Sequence, residues 1–156
     1  LPPETYATFA TYAAEAGVPV VLDAGGSALA HAVARHPALV IPEPGAGLPP
    51  DQLLGAGAGA VAVLTSTGLA GGVVTVTTGK GQWHARLAEP APMSRDALVA
   101  GFVPGVALGW SWPDSLRHAV SLAASAGPAG EVDLVSYERL LPRVAVEAPR
   151  ARPGSR

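Results

Sequence analysis

The residues with the clearest chemical potential lie in the run Met93-Ser-Arg-Asp-Ala-Leu-Val-Ala-Gly-Phe-Val-Pro-Gly-Val-Ala-Leu-Gly109. After a proline-containing approach (Pro90, Pro92), a single carboxylate, Asp96, stands at the start of a long apolar helix that the spacing predicts over 97–108. The first backbone N–H groups of a helix have no partner within it, and the helix dipole favours negative charge there, so such an end can hold a phosphate. A carboxylate beside a bound phosphate can orient and deprotonate an attacking hydroxyl, the base role in phosphoryl transfer. An acid in a first turn is also favoured for capping alone. Spacing does not separate the two roles.

The other chemistry-bearing residues are dispersed. His31, His36, His84 and His118 show no metal-ligand spacing, and the chain has no cysteine to join them. The absence of cysteine excludes a disulfide scaffold, a thiolate zinc site and a thiol nucleophile, and it suits a reducing, cytoplasmic setting. Asp23-Ala-Gly-Gly-Ser27 loosely resembles the first motif of Rossmann-like methyltransferases. That motif needs further glycines and an acid ending the next strand, where this chain has Ile41-Pro-Glu43. A net charge of -2 leaves no electrostatic footprint for nucleic acid or an anionic membrane. Only 14% of residues are charged, against a usual ~25%. Gly and Pro supply 35 of the 156 residues. So uncharged an exterior predicts that the chain works surrounded by more protein.

The elements that would position Asp96 follow from hydrophobic periodicity. A helix is predicted over 6–16, with Tyr6, Phe9, Ala10 and Ala13 on its apolar face and Gly17 as its left-handed terminus. Val18–Leu22 reads as a strand buried on both faces. Ser27 is placed to cap a second helix running to Arg35, and 38–41 is a further strand. Prolines and glycines break the pattern from Pro42 to Gly59, leaving a helix start at 51–54. A buried strand over 60–65 and a hairpin of 73–78 with 82–87, turning at Gly79-Lys80-Gly81, come next. Helices follow over 97–108, 114–124 (opened by Pro113, with Ser111 or Trp112 near its cap) and 136–141. Trp110 and Trp112 flank the junction of the first two and are read as packing there. Pro104, inside the first, removes the bond to Ala100 and is expected to cost ~3 kcal/mol. The order specifies an α/β fold with a largely parallel sheet and a small hairpin. One domain over 1–148 and a disordered basic tail over 149–156 are expected. No repeat, signal peptide or membrane span is apparent; the apolar uncharged stretch Ala97–Pro113 is short and holds Pro104.

Several of these pieces, in collinear order, resemble the PfkB (ribokinase-like) carbohydrate kinases, most closely the 1-phosphofructokinase and tagatose-6-phosphate kinase branch. Asp96-Ala-Leu-Val-Ala-Gly-Phe102, Gly109-Trp-Ser-Trp-Pro-Asp-Ser-Leu-Arg-His-Ala119 and Gly130-Glu-Val-Asp133 are similar to the C-terminal signature of that family. Leu1-Pro-Pro3 and Val20-Val-Leu-Asp-Ala-Gly-Gly26 resemble its post-strand loop and its strand ending in Asp, and Ser66-Thr-Gly-Leu-Ala-Gly71 its glycine turn. The resemblance implies a ribokinase-like fold and ATP-dependent phosphorylation of a sugar phosphate such as fructose 1-phosphate or tagatose 6-phosphate. Asp96 would be the base, and Ser94, Arg95 and Asp96 the turn facing the transferred phosphate. Ser66, Gly68 and Gly71 would lie along the ATP, and Ser121 to Ala124 near the adenine. Magnesium would be held through the ATP phosphates.

The departures from the family pattern shape the expectation. Its Gly-Ala/Ser-Gly-Asp turn reads Met93-Ser-Arg-Asp96 here, so that Met93 and Arg95 are expected to crowd the phosphate or reshape the turn. Its Lys-Pro-Asn motif reads Ile41-Pro-Glu43. The family's N-terminal half, with most sugar-binding residues, is absent, and the chain opens on Leu1. The expectation is therefore a truncated, motif-degenerate kinase, weak or inactive alone, with an uncovered sheet edge through which it self-associates. The alternative is a non-catalytic remnant that at most binds nucleotide or a partner protein.

Overall fold

In the computed structural model, the described residues are 1–66, 72–89, 91–147 and 149. They begin with α1 (Glu4–Glu15), which ends as Gly17 turns left-handed at φ 68°. Gly17 N–H then bonds to the Ala14 carbonyl and Val18 N–H to the Ala13 carbonyl, the paired bonds of a Schellman terminus. Val18 is thereby committed to the helix end and is exposed, so the first strand, β1 (Val21–Ala24), starts three residues later than the apolar run suggests. The elements that follow are α2 (Gly26–Val33), β2 (Leu39–Pro42), α3 (Pro50–Ala56), β3 (Ala60–Ser66), β4 (Gly72–Thr78), β5 (Gly81–Leu87), α4 (Arg95–Leu108), α5 (Trp112–Ser125), α6 (Leu134–Leu140), a 3-10 turn (Leu141–Arg143) and β6 (Val144–Glu147). The strands lie in the order β1-β2-β3-β4-β5-β6. This is a mixed α/β sheet, parallel from β1 to β3 and antiparallel between β5 and β6. No helix among the described residues is long and apolar enough to cross a membrane.

The chain forms two compact units, Leu1–Val63 with Thr77–Lys80, and Leu64–Val76 with Gly81 onward. In the first, Leu22, Leu29, Val33, Val40, Leu53 and Val61 form the core. β1 pairs with β2 in the register Val21↔Leu39 and Asp23↔Ile41. α1 lies against α2 with Ala7 and Ala10 buried, while Phe9 and Tyr12 are each 63% exposed. The expected apolar face is thus corrected. Small side chains let two helices approach closely, and the aromatics are turned outward. Ser27 does not cap α2. Gly25, in extended conformation, precedes the helix, and the Ser27 carbonyl instead accepts from His31 Nδ1–H at 2.7 Å. Glu43 folds its side chain against Gly25 at the start of that helix.

The second unit packs Leu98, Phe102, Leu116 and Val120 of α4 and α5 with Val74, Val76 and Ala85 in its core, all fully buried. Gly101 and Gly105 of α4 meet Ala119 and Ser115 of α5, where only small groups fit. α4 runs unbroken through Pro104. The carbonyl that a proline nitrogen cannot serve belongs to Ala100, an exposed residue that water can reach. β6 is a strand that the sequence pattern did not announce. It is four residues long behind Pro142, and it exists by pairing Val144 with Leu87 and Glu147 with His84. Glu89 receives both Arg139, at 3.2 Å, and Arg143 near the same edge.

Candidate functional site

Ser94 sets the geometry of the α4 start. Its backbone is extended (φ -75°, ψ 121°), and its hydroxyl accepts the Ala97 N–H at 3.3 Å. Its carbonyl receives the Leu98 N–H at 3.0 Å, and its own N–H reaches back to the Ala123 carbonyl at 2.9 Å. Two bonds to α4 and one to α5 thus fix the turn. Asp96 follows in the first helical turn with its side chain exposed, where the helix dipole favours its negative charge.

Beside this turn is an open cavity of about 390 Å³. α4 contributes Ser94, Asp96, Ala97 and Ala100, and α5 contributes Leu122. The far wall is the loop from Gly127 to Gly130 with Val132. Backbone bonds stiffen that wall. Ala126 and Val132 form an isolated antiparallel bridge, and Gly127 N–H donates to the Glu131 carbonyl at 2.8 Å. Gly130, at φ 84°, closes the turn through the Gly127 carbonyl, a conformation that few residues other than glycine adopt. Asp133 N–H then bonds to the Ser125 carbonyl at 3.0 Å, and the Asp133 carboxylate caps α6. Ser136 Oγ–H donates to that carboxylate at 2.6 Å and holds it below the usual carboxylate range, helped by the Val135 and Ser136 N–H groups and by Arg139.

The structure brings Ser94 and Asp96 together at the cavity, with half-buried Arg95 between them in the chain. Met93 lays its Sδ and Cε against Gly72, within 3.5 Å of where a Cβ there would stand. Ser121 is fully buried on α5 and donates its hydroxyl to the Arg117 carbonyl at 2.7 Å, while Ala124 is half-buried. α5 reaches the cavity instead through Leu122. Ser66 ends β3, and Gly68 and Gly71 lie outside the described residues, as does most of the expected tail. The far wall was not foreseen as part of the site, although Gly127 and Gly130, three residues apart around Pro128, carry its turn signal. Among the described residues, no three His, Cys, Asp or Glu side chains gather as a metal cage.

No family model matches the sequence, and no curated protein matches it. Solved structures do match the fold. A Staphylococcus aureus protein assigned provisionally as a phosphofructokinase is 20% identical, with a TM-score of 0.74 over 97% of this chain and 55% of that one. Escherichia coli phosphofructokinase-2, solved in complex with substrates and products, gives 17% identity and a TM-score of 0.70 over 91% of this chain and 52% of its own. Staphylococcus aureus pyridoxal kinase, in complex with pyridoxal, gives 17% and 0.65 over 94% and 69%. The chain spans about half the length of the phosphofructokinase structures that it matches. At such identities the likeness is one of fold, and the fold of this chain is the ribokinase-like α/β fold of these kinases.

Proposed function

We propose that this chain supplies the phosphoryl-transfer half of a PfkB-family kinase that phosphorylates a small molecule, a sugar phosphate such as fructose 1-phosphate or tagatose 6-phosphate, at the expense of ATP. The observation that carries this reading is Asp96, exposed in the first turn of α4 and facing a cavity walled by the backbone of Gly127–Gly130. In the proposed step the acceptor hydroxyl attacks the γ-phosphorus, the bond to the bridging oxygen of ADP breaks, and the hydroxyl proton passes to the Asp96 carboxylate. In this proposal the transferred group lies at the start of α4, where the helix dipole favours negative charge. The apolar flank of the cavity, from Ala97, Ala100, Leu122 and Val132, suits the flat face of a base. Magnesium prefers a carboxylate or two together with phosphate oxygens. The ion would be held through the ATP phosphates, where it would neutralise their charge, and Asp96 is left to take the proton.

Two measurements test the proposal. Calorimetry with Mg-ATP reads the nucleotide site directly, and its failure to detect binding would remove the reading. A coupled ADP-release assay with fructose 1-phosphate and tagatose 6-phosphate reads turnover. There Asp96→Asn is expected to lower kcat by ~10²–10⁴ with ATP affinity kept, as loss of a general base does. Turnover unchanged in Asp96→Asn would show that another group takes the proton.

A further inference from the structure

Three rings meet on the side of α5 that faces α6. His118 Nδ1 lies 2.7 Å from Tyr137 Oη. The imidazole stands edge-on to the Tyr137 ring at 5.5 Å and 81°, and to the Trp110 ring at 5.5 Å and 82°. α6 itself has seven residues, too few to hold a helix unaided. Its buried anchor, Leu140, is at its far end, while Leu134 and Val135 at its beginning are 68% and 75% exposed. Its beginning, joined directly to the cavity wall at Asp133, is capped by the Asp133 carboxylate and bonded to α5 through Asp133 N–H and the Ser125 carbonyl, and the Tyr137–His118 contact ties its middle turn to α5.

We propose that His118 and Tyr137 are positioning residues for the cavity, pinning α6 to α5 so that the Gly127–Val132 wall keeps its shape, and that protonation of His118 loosens the pin. The neutral imidazole accepts the Tyr137 O–H when its proton is on Nε2, and donates to Tyr137 Oη when its proton is on Nδ1. A second proton makes Nδ1 a donor to Tyr137 Oη and turns the phenol hydrogen outward, and a charge is left half-buried beside the Trp110 and Tyr137 rings. Burial pushes the His118 imidazole below its ordinary value and the Tyr137 phenol above its own. The neighbouring charged groups of α5 and α6 are exposed or engaged elsewhere. On α5, one turn earlier, Asp114 is exposed and already bonded by Arg117 at 3.3 Å and by Ser111 at 2.7 Å. On α6, Glu138 is exposed and Arg139 is held by Glu89. Since the folded state binds this proton less readily than the unfolded chain, stability falls as pH drops through the ordinary histidine value, and the loss levels off below the folded value.

The proposal rests on the kinase reading only for what the wall holds, so its test reads the wall. Amide exchange at Gly127 and Asp133, corrected for intrinsic rates, reports the bonds to Glu131 and Ser125. Protection in the unaltered chain should fall roughly fivefold between about pH 7.5 and about pH 5.5, as weakening the contact by about the worth of one hydrogen bond would produce. Tyr137→Phe should show the low protection already at the higher pH and no further fall. His118→Gln, which can still accept the phenol hydrogen, should keep the protection and lose the pH response. Full protection in Tyr137→Phe, or an undiminished pH response in His118→Gln, overturns the proposal. Should either variant fail to fold, the ring-proton NMR titration of His118 in the unaltered chain decides, and a midpoint at or above that of free histidine overturns it. If Mg-ATP binds to none of these proteins, the kinase reading fails and the exchange result still stands.

Discussion

Replacing Gly101 by alanine probes the α4–α5 contact on which the cavity depends. Gly101 and Gly105 are one turn apart on α4, as are Ser115 and Ala119 on α5, and the pairing of small residues lets the helices approach. A Cβ on Gly101 would fall 2.6 Å from the Cα of Ala119, about 0.8 Å inside an ordinary 3.4 Å contact. The opposing atom is backbone and cannot swing aside, so α4 must retreat or tilt. Overpacking of this kind costs ~1–3 kcal/mol, the upper end applying where backbone has to move. Alanine regains ~1 kcal/mol over glycine inside a helix. The net expectation is a destabilisation of ~2 kcal/mol. Gly55 in α3 is the control, because its Cβ would meet nothing within 4 Å. Gly55→Ala should be neutral or stabilising by up to ~1 kcal/mol. Urea unfolding followed by circular dichroism compares the midpoints. Retreat of α4 also carries Asp96 and Ala97 away from Leu122, so Mg-ATP affinity should weaken in parallel. A midpoint raised by Gly101→Ala as much as by Gly55→Ala would refute the packing argument.

Ser94→Ala removes the hydroxyl that caps α4 and should cost ~1 kcal/mol, whereas Ser94→Asp keeps an acceptor and should recover most of it, as unfolding midpoints will show. Leu140→Ala empties the buried anchor of α6 and should cost ~2–5 kcal/mol in the same assay. Asp133, held below the usual carboxylate range chiefly by the Ser136 hydroxyl, stabilises the α6 start at neutral pH and above. That support is lost as pH falls from the ordinary carboxylate value through the folded one. Val135 and Ser136 amide shifts should titrate in that acid window, and Asp133→Asn should abolish the dependence while keeping the cap.

Much of the architecture was legible because its signals are local. Gly17 announced the end of α1, Gly79-Lys80 announced the β4–β5 turn, and the apolar runs around 40 and 62 announced buried strands. The placement of Asp96 at a helix start was equally local, since it follows from a serine, an acid and a long apolar segment within a few residues. Face selection was not local. Nothing within α1 states that Ala7 and Ala10, rather than Phe9 and Tyr12, meet a neighbour, because that depends on how closely α2 comes. β6 escaped notice because four residues carry too little pattern, and their partner in β5 lies some sixty residues earlier in the chain.

By itself, then, the order of residues determined the succession of helices and strands, the capped start of α4 with its carboxylate, and the likeness to ribokinase-like kinases. Only the tertiary structure decided that the Gly127–Val132 loop stands opposite Asp96, that Met93 turns toward Gly72, and that His118 meets Tyr137. The physical reason is that backbone preference and capping act across one turn or one hairpin, whereas a wall, a contact face or a ring pair forms when segments far apart in the chain exclude water together.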